Sequence, residues 1–345
     1  MTWSIAWSAQ VTAPVASIEA GPGWIAIGHG RRLTMLDDAG AHRWSADVLF
    51  SPHRMVAAGP YLGVLAAHGF TVHQLVDGVA LNEGRSATRG FSSLVARPGG
   101  GWIASGRDGG LHLFSAEGRG RRRIDMDAPR AVRGALDRDH AVVHAKDGLL
   151  HIVHLDGGVP PVTLGDTSWT WSSPMGRDGL LLRSVEGVLH RGAPGPSGWD
   201  RLERVDDEVL EPVAACRTSL GWCVLELDGR VREATSGAVL EGSDGGVEPM
   251  AFLASDGEAT LVGVTRSGLI RCWYGGERER VERVARRALA ADGARQDDWA
   301  LRRRRFEAAV EAEASGDWEV AAEHYDALGR TQDAARVRKQ RGEGA

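Results

Sequence analysis

Cysteine is scarce in this 345-residue sequence, which contains only Cys216, Cys223 and Cys272. An odd and sparse count argues against a disulfide framework and favours reduced thiols in a cytoplasm. Cys216 and Cys223 lack a second pair of ligands nearby, which argues against a zinc site. No run approaches 18 uncharged apolar residues, and the first residues lack the basic and apolar regions of a secretory signal. We therefore expect a cytoplasmic protein that does not span a membrane.

An excess of positive charge is also lacking, because 41 Lys and Arg residues stand against 46 Asp and Glu residues, a net charge of -5. A general polyanion binder should be strongly basic, so the composition disfavours a nucleic-acid partner. The sequence contains no Walker A loop, no G-x-S-x-G elbow, no H-E-x-x-H helix and no C-x-x-C pair. We therefore predict no catalytic residues, no cofactor and no metal.

Glycine, in contrast, is abundant at 46 residues, without the Gly-X-Y period of collagen. Seven segments share an apolar run, a polar turn with glycine and a second run of alternating polarity. The turn glycines follow one another at intervals close to 40 residues: Gly30, Gly69, Gly109, Gly148, Gly187, Gly229 and Gly268. Four strands in about 40 residues form a propeller blade. The sequence thus predicts an all-β, seven-bladed β-propeller over residues 1–276.

The two ends of this region predict how the ring closes. Residues 7–11 (Trp-Ser-Ala-Gln-Val) match residues 44–48 (Trp-Ser-Ala-Asp-Val), which belong to the fourth strand of the first unit. The seventh unit stops at Gly275-Gly276, before any fourth strand. Because an open ring would leave two exposed sheet edges, we expect the N-terminal strand to complete the last blade.

The blade pattern resembles the repeat of quinoprotein-like and WD-repeat-like propellers. The resemblance rests on Ile25-Ala26-Ile27-Gly28, Leu36-Asp37-Asp38-Ala39-Gly40 and Trp44. In those families the tryptophan of the fourth strand commonly docks onto a neighbouring blade, and Trp7 and Trp44 match that position. No adjacent cysteine pair matches a quinone site, so the resemblance concerns the fold.

After Gly276 the β-turn signals stop and helical periodicity begins. Residues 277–345 contain 15 basic and 15 acidic residues, so this tail is neutral. Apolar positions predict helices over about 277–291 and 297–315, a third from an N-cap at Asp317 to Gly329, and a short fourth from Thr331. The apolar positions of the first helix are Val281, Val284, Ala285, Ala288 and Leu289. Residues 277–345 are therefore predicted to form an α-helical appendage.

Residues 316–325 resemble the second helix of a tetratricopeptide repeat, with Ala321 and Tyr325 at the positions that the family fills with a small and an aromatic residue. A propeller followed by the pattern from Glu313 to Gly329 is also similar to the propeller components that accompany MoxR-type AAA ATPases and von Willebrand A proteins in bacterial three-part systems. This resemblance implies a substrate-recognition or adaptor subunit whose A-domain partner holds the metal site.

Eight residues are candidates for binding a protein partner: Trp169, Trp171, Trp299, Arg302, Arg303, Phe306, Trp318 and Tyr325. Period-two alternation predicts Trp169 and Trp171 on one face of a strand, either packed between blades or forming an aromatic platform. The run 302–305 of four arginines is either a solvated helix surface paired with nearby glutamates, a docking site for an acidic partner or the acidic propeller, or a nucleic-acid contact.

The function predicted from these features is a non-catalytic protein-interaction scaffold or adaptor. Its expected partners are proteins, among them a MoxR-type AAA ATPase and a von Willebrand A protein. The alternative is an enzyme or a small-ligand sensor with a site at the mouth of the propeller channel.

Overall fold

The computed structural model describes most of the chain. The described residues are 3–11, 14–82, 90–120, 122–126, 129–174, 179–205, 211–234, 236–243, 248–276 and 301–343. The chain divides into two compact units. The predicted boundary after residue 276 lies at the edge of an undescribed stretch and remains a prediction.

The first unit is a seven-bladed β-propeller, as predicted. Its first strand, β1 (Trp3–Gln10), belongs to the last blade. Blade 1 contains β2 (Val15–Gly21), β3 (Trp24–His29), β4 (Arg32–Asp37) and β5 (His42–Asp47). Blade 2 contains β6 (Pro52–Ala58), β7 (Tyr61–Ala66) and β8 (Gly69–Gln74). Blade 3 contains β9 (Phe91–Ala96), β10 (Trp102–Gly106), β11 (Gly110–Phe114) and β12 (Arg122–Asp125).

The remaining blades follow the same antiparallel order. Blade 4 contains β13 (Pro129–Ala135), β14 (His140–Ala145), β15 (Leu150–His154) and β16 (Val162–Thr163). Blade 5 contains β17 (Trp169–Pro174), β18 (Leu180–Ser184), β19 (Leu189–Gly195) and β20 (Gly198–Arg204). Blade 6 contains β21 (Pro212–Thr218), β22 (Gly221–Glu226) and β23 (Val231–Glu233). Blade 7 contains β24 (Met250–Ser255), β25 (Thr260–Thr265), β26 (Leu269–Gly275) and β1. The first strand of each blade contacts the first strand of the next around the whole ring, which defines the inner wall.

Within the described residues, blades 2 and 6 differ from the predicted four strands, because each shows three strands and a single bridge, His73 to Ala80 or Arg232 to Val239. In both blades a side chain makes a hydrogen bond to the third strand that a fourth strand would otherwise make. The Asn82 Oδ1 atom accepts the backbone N–H of Val72 at 3.1 Å, and the Ser243 Oγ atom accepts that of Val231 at 3.0 Å. A polar side chain thus satisfies a donor that a fourth strand would otherwise pair.

The N-terminal strand closes the ring as predicted. β1 pairs with β26 from Trp3 opposite Gly275 to Gln10 opposite Leu269. The Trp7 Nε1–H donates to the Asp38 carbonyl of blade 1 at 2.7 Å, and the Tyr274 hydroxyl donates to the same carbonyl at 2.8 Å. Two strands of blade 7 are therefore hydrogen-bonded to one turn of blade 1.

Tryptophan docking between blades confirms the expectation for Trp7 and Trp44 and extends beyond it. The Trp44 Nε1–H donates to the Leu75 carbonyl of blade 2 at 3.0 Å. Its ring covers Gly78, where a Cβ atom would lie 2.6 Å from the indole and where φ is +76°. Only glycine combines that backbone conformation with so close an approach. Trp199 and Trp273 also donate to a neighbouring blade, but to the preceding one, and the sequence pattern had not singled them out.

Each inner strand carries a β-bulge near its start. The pairing register shifts between the first and third residue of all seven inner strands, for example between Pro52 and Arg54 and between Pro212 and Ala214. An extra residue in one strand interrupts the alternation of side chains. Residues two apart across the bulge therefore need not share a face.

The second unit is helical in its described part. It contains α1 (residues 301–315), α2 (Trp318–Ala327) and α3 (Thr331–Glu343). Its core is built mainly of small side chains, which let the helices approach closely: Ala309, Ala312, Ala321, Ala322, Tyr325, Ala334 and Val337, with Trp318 packed against them. Gly329 ends α2 with a φ of +73°, as predicted. Asp317 precedes α2, but its side chain makes no capping hydrogen bond. The helix predicted over 277–291 and the start of the one predicted over 297–315 lie outside the described residues.

Candidate functional site

The tryptophan pair of blade 5 does not form a platform on one face. Trp169 is 1% exposed and fills the interface between blades 4 and 5, in a cluster with Val142 and Leu180. Trp171 is half-buried and packs instead with Leu181 in the interface between blades 5 and 6. The bulge between the two tryptophans breaks the period-two alternation on which the expectation rested. Packing between blades, one of the two alternatives left by the sequence, accounts for Trp169.

Tyr325 and Phe306 occupy different layers of the helical unit. Tyr325 is buried, and its hydroxyl donates to the Glu313 Oε2 atom at 3.0 Å. Burial, and then that hydrogen bond, raise the pKa of Tyr325. Phe306 packs its ring edge-on against Tyr325 at 6.4 Å and remains 39% exposed. The Arg330 guanidinium lies 4.9 Å from the Phe306 ring centre, a cation–π distance. The buried Tyr325 ring therefore packs against the inner side of the partly exposed Phe306 ring.

The arginine run is exposed along α1. Arg302 and Arg303 are both exposed, and the Arg303 Nε–H donates to the Glu307 Oε1 atom at 2.9 Å, one turn further along. Such an exposed pair contributes little stability, about 0.3–0.5 kcal/mol. Trp318 is half-buried against the alanine core, and Trp299 lies outside the described residues. Partner binding by these residues remains a prediction.

An ionisable pair on the inner wall was missed by the sequence reasoning. Glu19 lies on β2 of blade 1, and Arg54 lies on β6 of blade 2, where its Nε–H donates to the Leu94 carbonyl of blade 3 at 3.2 Å. Burial raises the pKa of Glu19 to about 7, although the charge of Arg54 and a hydrogen bond from the Ala57 backbone both lower it. Burial also lowers the pKa of Arg54, against the opposing effect of Glu19. Only the packing of neighbouring blades brings these residues together.

The pKa of Glu19 predicts a pH-dependent contribution to stability. The folded carboxyl holds its proton up to about pH 7, whereas the ordinary value of 4.5 applies in the unfolded chain. Between these values the folded state binds more protons, so the free energy of unfolding falls as pH rises. We expect the stability of Glu19→Gln to rise relative to that of the unsubstituted protein as pH increases from 5 to 8. Urea unfolding of both proteins at several pH values measures this difference. Glu186→Gln, at an exposed turn, is the control, and a pH-independent difference for Glu19→Gln would contradict the assignment.

The described residues contain no group of three or more His, Cys, Asp or Glu side chains arranged to hold a metal ion. None of the helices described has the length and apolarity that crossing a bilayer requires.

The fold defines the chain as a seven-bladed β-propeller with a C-terminal helical appendage. No protein-family model and no curated protein matches it. Among solved structures it is similar to the β-propeller domain of Cps50 (Swd1) from Myceliophteria thermophila, at 12% identity and a TM-score of 0.63, covering 79% of this chain and 100% of that one. It is also similar to BBS1N, solved in complex with ARL6DN, at 14% identity and a TM-score of 0.59, covering 80% of this chain and 98% of that one. At these identities the likeness shows the fold.

Proposed function

We propose that this chain is a non-catalytic protein-interaction scaffold or adaptor that acts in the cytoplasm. The observation that carries the proposal is an exposed apolar pair on α1, Phe306 and Val310, which are 39% and 47% exposed. The two residues are one helical turn apart and therefore neighbours on the helix surface. Exposed apolar side chains grouped on a helix are typical of surfaces that bind proteins. We name Phe306 and Val310 the α1 patch.

Charge around the α1 patch indicates the chemistry of its partner. Arg303 precedes Phe306 by three residues and Val310 by seven, so all three share one side of α1. Arg330 of the loop between α2 and α3 covers part of the Phe306 ring. The two guanidinium groups pair with Glu307 and Asp333 of this chain, and such exposed pairs are weak, so a partner surface with an apolar residue and adjacent carboxylates can compete with them.

The more specific proposal is that the partner is a MoxR-type AAA ATPase or a von Willebrand A protein. The support is the resemblance of the stretch from Glu313 to Gly329. In the structure this stretch contains the end of α1 and the whole of α2. The Glu313 carboxylate accepts hydrogen bonds from Tyr325 and Arg336, which joins α1 to α2 and α3. Gly316 ends α1 at a φ of +85°.

Affinity capture from a native lysate tests the proposal. The full-length protein is compared with a Phe306→Ser/Val310→Ser variant, and bound proteins are quantified by mass spectrometry. We expect one protein to be captured in stoichiometric amount by the full-length chain and reduced at least about tenfold by the variant, because interface residues in the centre of a patch each contribute more than about 1 kcal/mol. The matched control is Val320→Ser, at an equally exposed valine that lies on α2, outside the α1 patch.

The outcomes separate the broad proposal from the specific one. An ATPase or an A-domain protein lost by the patch variant and kept by Val320→Ser would support both. A different protein with that pattern would support the scaffold and refute the specific partners. Equal capture by all variants would refute the α1 patch, and capture of nothing would refute the scaffold.

A further inference from the structure

Two histidines of blade 4 stand side by side on neighbouring strands. His140 begins β14 and His154 ends β15, and the two residues are direct partners in the antiparallel register. Direct partners place their side chains on the same face of a sheet. Their rings meet edge to face with centres 4.8 Å apart. Both side chains remain partly exposed, at 25% and 27%.

A carboxylate holds the same ring atom of each histidine. The His140 Nδ1 atom lies 2.9 Å from the Asp137 Oδ2 atom, and the His154 Nδ1 atom lies 2.6 Å from the Asp156 Oδ1 atom. A neutral imidazole that donates its Nδ1–H to a carboxylate keeps the lone pair on Nε2. This is the arrangement by which a neighbouring carboxylate fixes the tautomer and the orientation of a metal-binding histidine.

The propeller framework does not require two imidazoles at this position. The equivalent partners are Trp24 and Asp37 in blade 1 and Tyr61 and Gln74 in blade 2. Two residues along the strands, the pair Val142 and Ile152 supplies the apolar packing toward blade 5. The histidines therefore lie at the edge of that interface, beside two hairpin turns that each contribute one aspartate.

We propose that His140 and His154 form an open binding site for a late first-row divalent cation such as Zn²⁺ or Cu²⁺. The Nε2 atoms are the two protein ligands, water fills the other positions, and Asp137 and Asp156 orient the rings. Imidazole nitrogen suits these metals, and Cu²⁺ binds most tightly in the general affinity order. A bound ion would link the turn before β14 to the turn after β15. The inference is independent of the proposed function.

Metal titration of the full-length protein, first freed of metal by a chelator, tests the site. Zn²⁺ is followed by calorimetry and by thermal unfolding, and Cu²⁺ by electron paramagnetic resonance. We expect one equivalent of Zn²⁺ to bind and to raise the unfolding temperature, because a ligand of the folded state stabilises it. The Cu²⁺ spectrum should show coupling to two nitrogens. Both His140→Ala and His154→Ala should abolish these signals, whereas His68→Ala, at another exposed histidine, should leave them unchanged.

A second pair of substitutions distinguishes the site from a general effect on folding. In Asp137→Asn and Asp156→Asn the amide oxygen can still accept the backbone hydrogen bonds of each turn, but the charge that strengthens the hydrogen bond from each Nδ1–H is gone. We expect Zn²⁺ affinity to fall about 10- to 100-fold, with the metal-free unfolding temperature nearly unchanged. Zn²⁺ binding and nitrogen coupling that persist in the His140→Ala/His154→Ala double variant would overturn the proposal, as would the absence of stoichiometric binding to the unsubstituted protein.

Discussion

Removal of residues 1–10 is expected to destabilise the propeller by at least about 3 kcal/mol, the usual lower cost of deleting one large aromatic side chain from a packed site. The deletion removes β1 and exposes the hydrogen-bonding edge of β26. It also removes the contact of Trp7 with the turn of blade 1. An uncovered edge next to a packed interface also favours pairing between chains. Urea unfolding followed by tryptophan fluorescence should show a lower midpoint, and size-exclusion chromatography should show association.

A milder substitution separates the contribution of strand β1 to stability from the contribution of Trp7. Trp7→Phe keeps an aromatic ring over Gly40 but loses the N–H that donates to the Asp38 carbonyl. We expect a cost of about 1 kcal/mol from the lost hydrogen bond, plus a smaller loss of contact area. Adding a peptide of residues 1–12 should restore part of the stability of the shortened protein. An unchanged unfolding midpoint after the deletion would show that β1 is dispensable for closure.

Trp273→Ala is expected to cost about 3–5 kcal/mol, because it removes a large side chain from a site without solvent exposure. The ring lies in the interface between blades 6 and 7, and its Nε1–H donates to the Glu241 carbonyl at 2.8 Å. A Cβ atom on Gly263 would lie 2.8 Å from the ring, so little space is available for collapse around a smaller residue. Urea unfolding monitored by circular dichroism measures the loss.

Trp199→Ala is the matched substitution for this second prediction. Trp199 docks onto the Leu164 carbonyl of the preceding blade at 3.2 Å, but it is only half-buried. The same change of residue should therefore cost less, because the transfer free energy scales with the area removed from water. A larger loss for Trp199→Ala than for Trp273→Ala would contradict the assignment of burial as the dominant cause.

Local sequence patterns were sufficient to predict the repeat, the number of blades and the closing strand. Turn glycines such as Gly78 and Gly148 adopt positive φ angles, and the alternation around them is a property of single strands. The match between residues 7–11 and 44–48 predicted how the ring closes, since equivalent strands need equivalent side chains. The helices of the appendage followed from apolar spacing and from Gly329.

The partners of the side chains could not be predicted in the same way. A bulge of one residue placed Trp169 and Trp171 in different interfaces, and no residue type marks that bulge. In blades 2 and 6 the side chains of Asn82 and Ser243 replaced part of a fourth strand. The candidate residues of the helical unit separated into a buried layer with Tyr325 and an exposed one with Phe306 only once the helices were packed.

The sequence by itself determined the seven-fold repeat, the strand-rich ring and the helical appendage, because turn chemistry and hydrophobic periodicity act over a few residues. The tertiary structure alone decided which distant groups meet, such as Glu19 of blade 1 and Arg54 of blade 2. These two residues lie on inner strands of different sheets, so their approach depends on how whole blades pack against one another, which no short stretch of sequence encodes. The meeting of His140 and His154 is more local, because the turn between β14 and β15 sets the register of that hairpin.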